Sequence, residues 1–191
     1  MTENSFKSVY DAPIGKMIIV SDGESIIEID HVNYDEPITS NPDELCQLAT
    51  KQLDEYFAGT RIEFNLPLKA TKGTYFQKAA WQALTTIPYG ETISYGEQAK
   101  RMNNPKAVRA VGGANGKNPF SIVVPCHRVI GANGTLTGYT GGMSRKEWLL
   151  DFESKMRVNE MRDTKSMCHI YSSNRHSRIE ERDVWNLVFD F

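Results

Sequence analysis

Cysteine is scarce in this chain, long apolar runs are missing, and the net charge is close to zero. The three cysteines, Cys46, Cys126 and Cys168, are far apart, with no CxxC and no paired histidine spacing. That excludes a disulfide framework and a zinc-finger-like site, so no metal and no cofactor are expected and a reducing cytoplasm fits best. No apolar stretch is long enough to span a bilayer. The first residues, "MTENSFKSVY", have neither a basic segment nor an apolar one behind it, so no membrane or secretory address is expected. A net charge of -2 would argue against a polyanionic partner if it were evenly spread. It is not. Residues 1–70 carry five Lys and Arg against thirteen Asp and Glu, whereas residues 71–154 carry ten against five. A phosphate-facing lobe would look like this, and so would two differently solvated surfaces.

What the chain does have is enough apolar material, 40% of 191 residues, to bury a core in one domain or two small ones. Met17–Val20 and Ile26–Ile29 read as short strands around an Asp-Gly turn. Leu45, Leu48, Leu53, Tyr56 and Phe57 then recur at helical spacing up to Gly59, with Cys46 as a packing residue.

The second half is punctuated by capping boxes at Thr74–Gln77, Ser94–Glu97 and Ser144–Glu147, each expected to open a helix. Asn104-Pro105 reads as the cap and first residue of another, which makes the helices on either side of "RMNN" a helix-turn-helix candidate. On that helix Ala107, Ala110, Val111 and Ala114 share one side. Arg109 faces away from them, bordered by Gly112 and Gly113, so its face can lie close against something negatively charged. The same glycines also serve to end the helix.

The stretch that bears chemistry is "IVVPCHRVIGANG", in which Ile122–Val124 reads as a buried extended segment leading to Cys126 and His127. A cysteine is only a few per cent thiolate at neutral pH, so a nucleophilic role needs a base or a positive field, which His127 and Arg128 can supply. Glu153 falls inside the apolar arc of Trp148, Leu149, Leu150 and Phe152 on the last helix, where a carboxylate needs a partner. Cysteine, histidine and glutamate then match the nucleophile, base and orienter roles of a triad. A second pair, Cys168-His169, lies in a polar tail without an apolar frame or a glycine-rich loop. It shows how little "CH" alone means.

"PCHRVIGANG", "GYTGG" and "KEWLL", with "IPYGETISYGEQA" and "NPKAVRAVGGANGKNP", resemble the O6-alkylguanine-DNA alkyltransferases over about residues 10–154. The resemblance implies a ribonuclease-H-like α/β domain over residues 1–70, then a mainly α-helical domain with a helix-turn-helix over 71–154 that binds DNA and accepts the methyl group. Residues 155–191 are an extension of unknown role. It further implies a monomer that acts on double-stranded DNA carrying O6-methylguanine, extending to O4-methylthymine, and keeps the alkyl group on its own cysteine in a single turnover. Carried over by position, Cys126 is the acceptor, His127 the base acting through a water, Glu153 the acid that orients it, and Asn118 a brace. Arg109 fills the stack vacated by a flipped base, and Tyr95 crowds the phosphate and reaches guanine. The carbonyls of Cys126 and Val129, with Tyr139 and the Thr140 amide, line the base pocket. Thr140 stands where other members often carry serine or alanine. Three other readings fall short. An alkyltransferase-like protein that flags the lesion without repairing it lacks the acceptor thiol that Cys126 supplies here. A helix-turn-helix transcription factor needs a more basic reading helix, and a thiol hydrolase needs a recognisable peptide cleft.

Overall fold

The computed structural model describes residues 5–32 and 39–170, with side chains through Arg157. Three antiparallel strands, β1 (Phe6–Ala12), β2 (Gly15–Ser21) and β3 (Ile26–His31), form a sheet in chain order. The two strands expected from the Asp-Gly turn lie inside β2 and β3. The Asp22 carboxylate caps that turn by accepting from the amides of Glu24 and Ser25. β1 escaped the sequence reading because it is an edge strand whose side chains, Tyr10 excepted, are not buried, so its alternation is weak. Helix α1 (Glu44–Phe57) starts at Asp43, whose side chain accepts from the Cys46 amide at 2.8 Å. It packs Cys46, Ala49, Leu53 and Tyr56 against Met17, Ile19, Ile26 and Ile29 of the sheet. Cys46 is the packing residue expected of it, whereas Leu48 is 39% exposed and lies off the buried face.

Helix α2 (Tyr75–Leu84) has both halves of its capping box, Thr74 Oγ1 accepting from the Gln77 amide and Gln77 Oε1 from the Thr74 amide. Its largest buried side chain is Trp81, whose indole donates to the Ala114 carbonyl at 2.8 Å. Helix α3 (Tyr95–Arg101) is capped by Ser94, but Glu97 turns to Lys100 and Arg101 instead of completing the box. Helix α4 (Val108–Asn115) begins later than Asn104-Pro105 predicts. Those two residues form a turn closed by the Ala107 amide on the Asn104 carbonyl, in which proline sits at the second position, where its fixed φ also fits. The buried face of α4 is Val111, Ala114 and Asn115, and Ala110 is exposed, contrary to the apolar count. A reciprocal amide pair, Gln98 with Asn115 at 2.7 and 3.0 Å, locks α3 to α4.

Ile122–Val124 is a tight turn, not an extended segment. The Val123 amide bonds the Ser121 carbonyl at 2.9 Å across Ile122, which is held at φ 73°. The Cys126 amide likewise bonds the Val124 carbonyl at 2.8 Å across Pro125, at φ -82° and ψ 65°. A β-branched residue at positive φ is a genuine strain, of order 1–3 kcal/mol, that the surroundings must impose. They do so from two sides. The neighbouring Pro119–Ser121 segment is hooked onto the edge of β3 by Ile29 N to Pro119 O and Ser121 N to Ile29 O, at 2.8 and 2.7 Å. Phe120 and Ile122 themselves are buried, each side chain contributing about 1.5–3 kcal/mol. Beyond the turn, the 3₁₀ turn Cys126–Arg128 runs into β5 (Val129–Ile130), parallel to β4 (Ile93–Ser94). Helix α5 (Met143–Ile170) closes the chain described, and Ser144 lies inside its first turn rather than at its cap. Residues 171–191, most of the expected extension, lie outside the described residues.

Candidate active site

The two successive turns deliver Cys126 to the floor of a recess while keeping it only 8% exposed. Burial pushes its thiol above the ordinary cysteine range. A hydrogen bond from Asn118 Nδ2 at 3.3 Å and the charge of Lys146 pull the other way, toward thiolate. Asn118 is buried and fully engaged: the same amide nitrogen donates to the Val124 carbonyl at 2.8 Å, and its oxygen accepts from the Phe120 amide. It therefore ties both ends of the strained turn together and touches the sulfur as well.

Behind the thiol, His127 and Glu153 are completely buried, with His127 Nε2 and Glu153 Oε1 2.9 Å apart. Glu153 receives five hydrogen bonds: from His127, from the Tyr56 hydroxyl, from the Gly90 amide, and two from the Arg128 guanidinium. Burial alone would raise its pKa, but His127 and Arg128 hold it well below the usual carboxylate range. It is an anion, and an anion only accepts, so Nε2 carries the proton. Burial lowers the His127 pKa more than Glu153 raises it, so the ring is neutral and Nδ1 presents a lone pair. That Nδ1 is buried and has no hydrogen-bond partner among the described residues. A buried orphan acceptor on the residue that follows the thiol in the chain is costly as structure and suited to taking a proton.

The recess, about 310 Å³ with its open mouth included, is walled by Asn115 and Gly116 at the end of α4, by Gly138–Gly141 of the loop before α5, and by Asp30 and Ser121. Tyr139 and Thr140 both line it. The Thr140 hydroxyl donates to the Gly116 carbonyl at 2.7 Å, tying the loop to α4. Gly141 is required by close approach, since a Cβ there would overlap the His31 and Tyr139 rings.

Two family models match the chain: the DNA-binding domain of 6-O-methylguanine DNA methyltransferase over residues 75–155, and its ribonuclease-like domain over 6–70. The chain belongs to this family. The methylated-DNA–protein-cysteine methyltransferase of Methanosarcina acetivorans is 47% identical over 154 residues, 78% of this chain and 97% of that one. The protein of the same name from Haemophilus influenzae is 49% identical over 156 residues, 78% and 86% of the two chains. Among solved structures, Mycobacterium tuberculosis OGT in complex with DNA superposes with a TM-score of 0.72 at 45% identity, covering 79% of this chain and 94% of that one.

The other residues singled out in the sequence are placed around this cluster less uniformly. Arg109 is exposed on α4, whose C-terminal end walls the recess, and a Cβ on neighbouring Gly113 would meet nothing. Tyr95 opens α3 and its hydroxyl donates to the Thr137 carbonyl at 2.9 Å, bracing the loop. Val129 is fully buried and does not line the recess; its carbonyl accepts from Lys146 Nζ at 2.6 Å. Lys146 itself was missed. It is fully buried on α5, its ammonium held by the carbonyls of Val129 and Thr137 and lying 5.8 Å from the Tyr95 ring centroid. Its only sequence signal is three-residue spacing before Leu149. Tyr56, Gly90 and Asp30 were also not foreseen.

Proposed function

We propose that the protein repairs DNA by moving the alkyl group of O6-methylguanine onto Cys126, once per molecule, acting as a monomer on a base flipped out of the duplex. Its activity is that of a methylated-DNA–[protein]-cysteine methyltransferase, the name its relatives carry. The observation that supports the roles most directly is the buried thiol in front of a neutral histidine, whose far nitrogen is pinned by a five-bonded glutamate. The Cys126 proton passes to His127 Nδ1 through one water. The thiolate attacks the alkyl carbon, the S–C bond forms as the C–O6 bond breaks, and the electron pair leaves on guanine. Guanine regains a proton, so the thiol proton is the one formally returned. The product is a thioether, and nothing in the triad can hydrolyse it.

In this reading Asn118 steadies the thiolate, and the Tyr139 side chain and Thr140 backbone hold the base. The Tyr95 hydroxyl completes the base contacts, Arg109 occupies the gap in the stack, and the Val129 carbonyl, outside the recess, holds the Lys146 ammonium instead. Unstacking a base costs a few kcal/mol, which an inserted side chain offsets. O4-methylthymine presents the same alkoxy chemistry and belongs to the same proposed substrate class. A protein that depends on a free thiol belongs in a reducing cytoplasm. Incubation with an oligonucleotide containing one O6-methylguanine tests the proposal. Repair should saturate at one lesion per protein, with one methyl on the peptide containing Cys126, and Cys126→Ser should bind the DNA without transfer. Turnover beyond one, or methyl on Cys168, refutes it.

A further inference from the structure

The N-terminal sheet contributes one residue to the recess, and it is charged. Asp30, at the end of β3, lines the same recess as Cys126. Its Oδ1 accepts from the Ser121 hydroxyl at 2.9 Å and from the His31 amide at 2.8 Å, and Oδ2 accepts no hydrogen bond from the described residues. Asp30 is close enough to disfavour negative charge on both Cys126 and Tyr139. Lys146, whose charge acts on Cys126, does not line the recess and points its ammonium at two carbonyls. Arg145 is turned to the carbonyls of Ile14 and Gly141. A carboxylate beside a nucleophilic thiol slows formation of the thiolate, so its place there is a cost to the methyl reaction unless it serves selection.

We propose that Asp30 is a specificity-determining residue: its carboxylate admits neutral alkyl groups to the Cys126 recess and repels O6-alkyl groups that carry a negative charge. The proposal rests on the alkyl-transfer function above. The alkyl group must lie against Sγ in the transition state, so its substituent enters the space that Asn118, Ser121, Tyr139 and Asp30 enclose. Two like charges several ångströms apart in a half-exposed site repel by an amount that depends strongly on the effective dielectric. The same carboxylate exerts almost no such force on a hydroxyl of similar size.

Single-turnover transfer from three oligonucleotides separates the possibilities: O6-methylguanine, O6-(2-hydroxyethyl)guanine and O6-carboxymethylguanine, the last two alike in length but not in charge. The native protein should transfer hydroxyethyl faster than carboxymethyl. Asp30→Asn keeps the Oδ1 acceptor for Ser121 and His31, and should raise the carboxymethyl-to-hydroxyethyl rate ratio by about three- to tenfold. The ratio is taken within one variant, so any change in the thiol itself cancels. Asp30→Ala should raise the ratio in the same direction. A ratio unchanged in both variants, with methyl transfer intact, overturns the role of Asp30 alone. No methyl transfer by the native protein overturns the function and this proposal with it.

Discussion

Replacing Glu153 by glutamine tests the centre where stability and chemistry meet. The substitution keeps the shape, yet it removes the only anion shown facing the buried Arg128 guanidinium and puts an amide NH2 among five donors. Breaking one side of a buried ion pair costs about 3–5 kcal/mol, because the remaining charge is left uncompensated. For a chain of this size that corresponds to a fall in melting temperature of roughly 6–20 °C. The pH dependence has a definite sign. The native Glu153 pKa lies below its unfolded value, so its contribution is complete above about pH 5 and fades as the pH falls toward the native value. The stability gap between native and variant should hold from pH 8 to 6 and narrow below about pH 4.5. Alkyl transfer should fall by about a hundredfold, the lower range of what a positioned base supplies. A second change separates the two effects. Arg128→Met on the same background removes the stranded cation and should restore part of the stability, while transfer stays low because His127 is still unoriented. Urea melts and single-turnover transfer measure both. A Glu153→Gln protein that melts with the native one, or a double variant that regains transfer along with stability, would refute the assignment of Glu153 as orienter.

Three further outcomes follow from the geometry. Arg109→Ala should slow transfer from duplex DNA far more than from the free base O6-methylguanine, which needs no flipping; equal slowing would place Arg109 in the chemistry or the fold. Lys146→Met should displace the rising limb of the pH–rate profile upward, because the buried ammonium favours the Cys126 thiolate; an unmoved limb would make Lys146 a strut for Val129 and Thr137 only. A chain ending at Arg157 should fold and transfer normally, since Met156 against Gly59 and Arg157 on Gly90 and Glu91 are the last side-chain contacts described. Insolubility of that truncation would make the apolar terminal segment "VWNLVFDF" part of the core.

The helices were legible in the sequence because apolar periodicity and capping residues mark them, and the Cys126, His127 and Glu153 cluster because its members conflict with their local surroundings. Glu153 stands out because a carboxylate in an apolar arc demands a partner, and Cys126 with His127 because an apolar frame and a glycine-rich loop enclose them. Ile122 carries no such conflict. Three β-branched residues between prolines read as a strand. Their turn is dictated from outside, by Pro119–Ser121 on the edge of β3 and by the Asn118 amide bridging Phe120 and Val124. Lys146 was invisible for the opposite reason. A lysine on an amphipathic helix reads as solvent-facing, and only the carbonyls of Val129 and Thr137, folded over it, make its burial tolerable.

Asp30 and Tyr56 extend that logic to the division between the two family-matched halves. Each belongs to the N-terminal part by sequence and looks like an ordinary strand or helix residue there. Tyr56 nevertheless donates to the carboxylate that orients His127, and Asp30 lines the recess of the thiol. The apolar core is likewise continuous from Ile19 and Ile29 through Phe120 to Leu149, so the sheet is no detachable accessory to the acceptor segment. Separate expression of residues 71–157 would expose the β3-facing side of Phe120, remove one of the five donors to Glu153 and release the strained turn from its anchor. That fragment should therefore be less stable and transfer slowly even with every member of the triad present. Adding residues 1–70 in trans should recover both properties together. Full transfer by the fragment alone would mean that the 3₁₀ turn and Asn118 suffice to hold Cys126 in place.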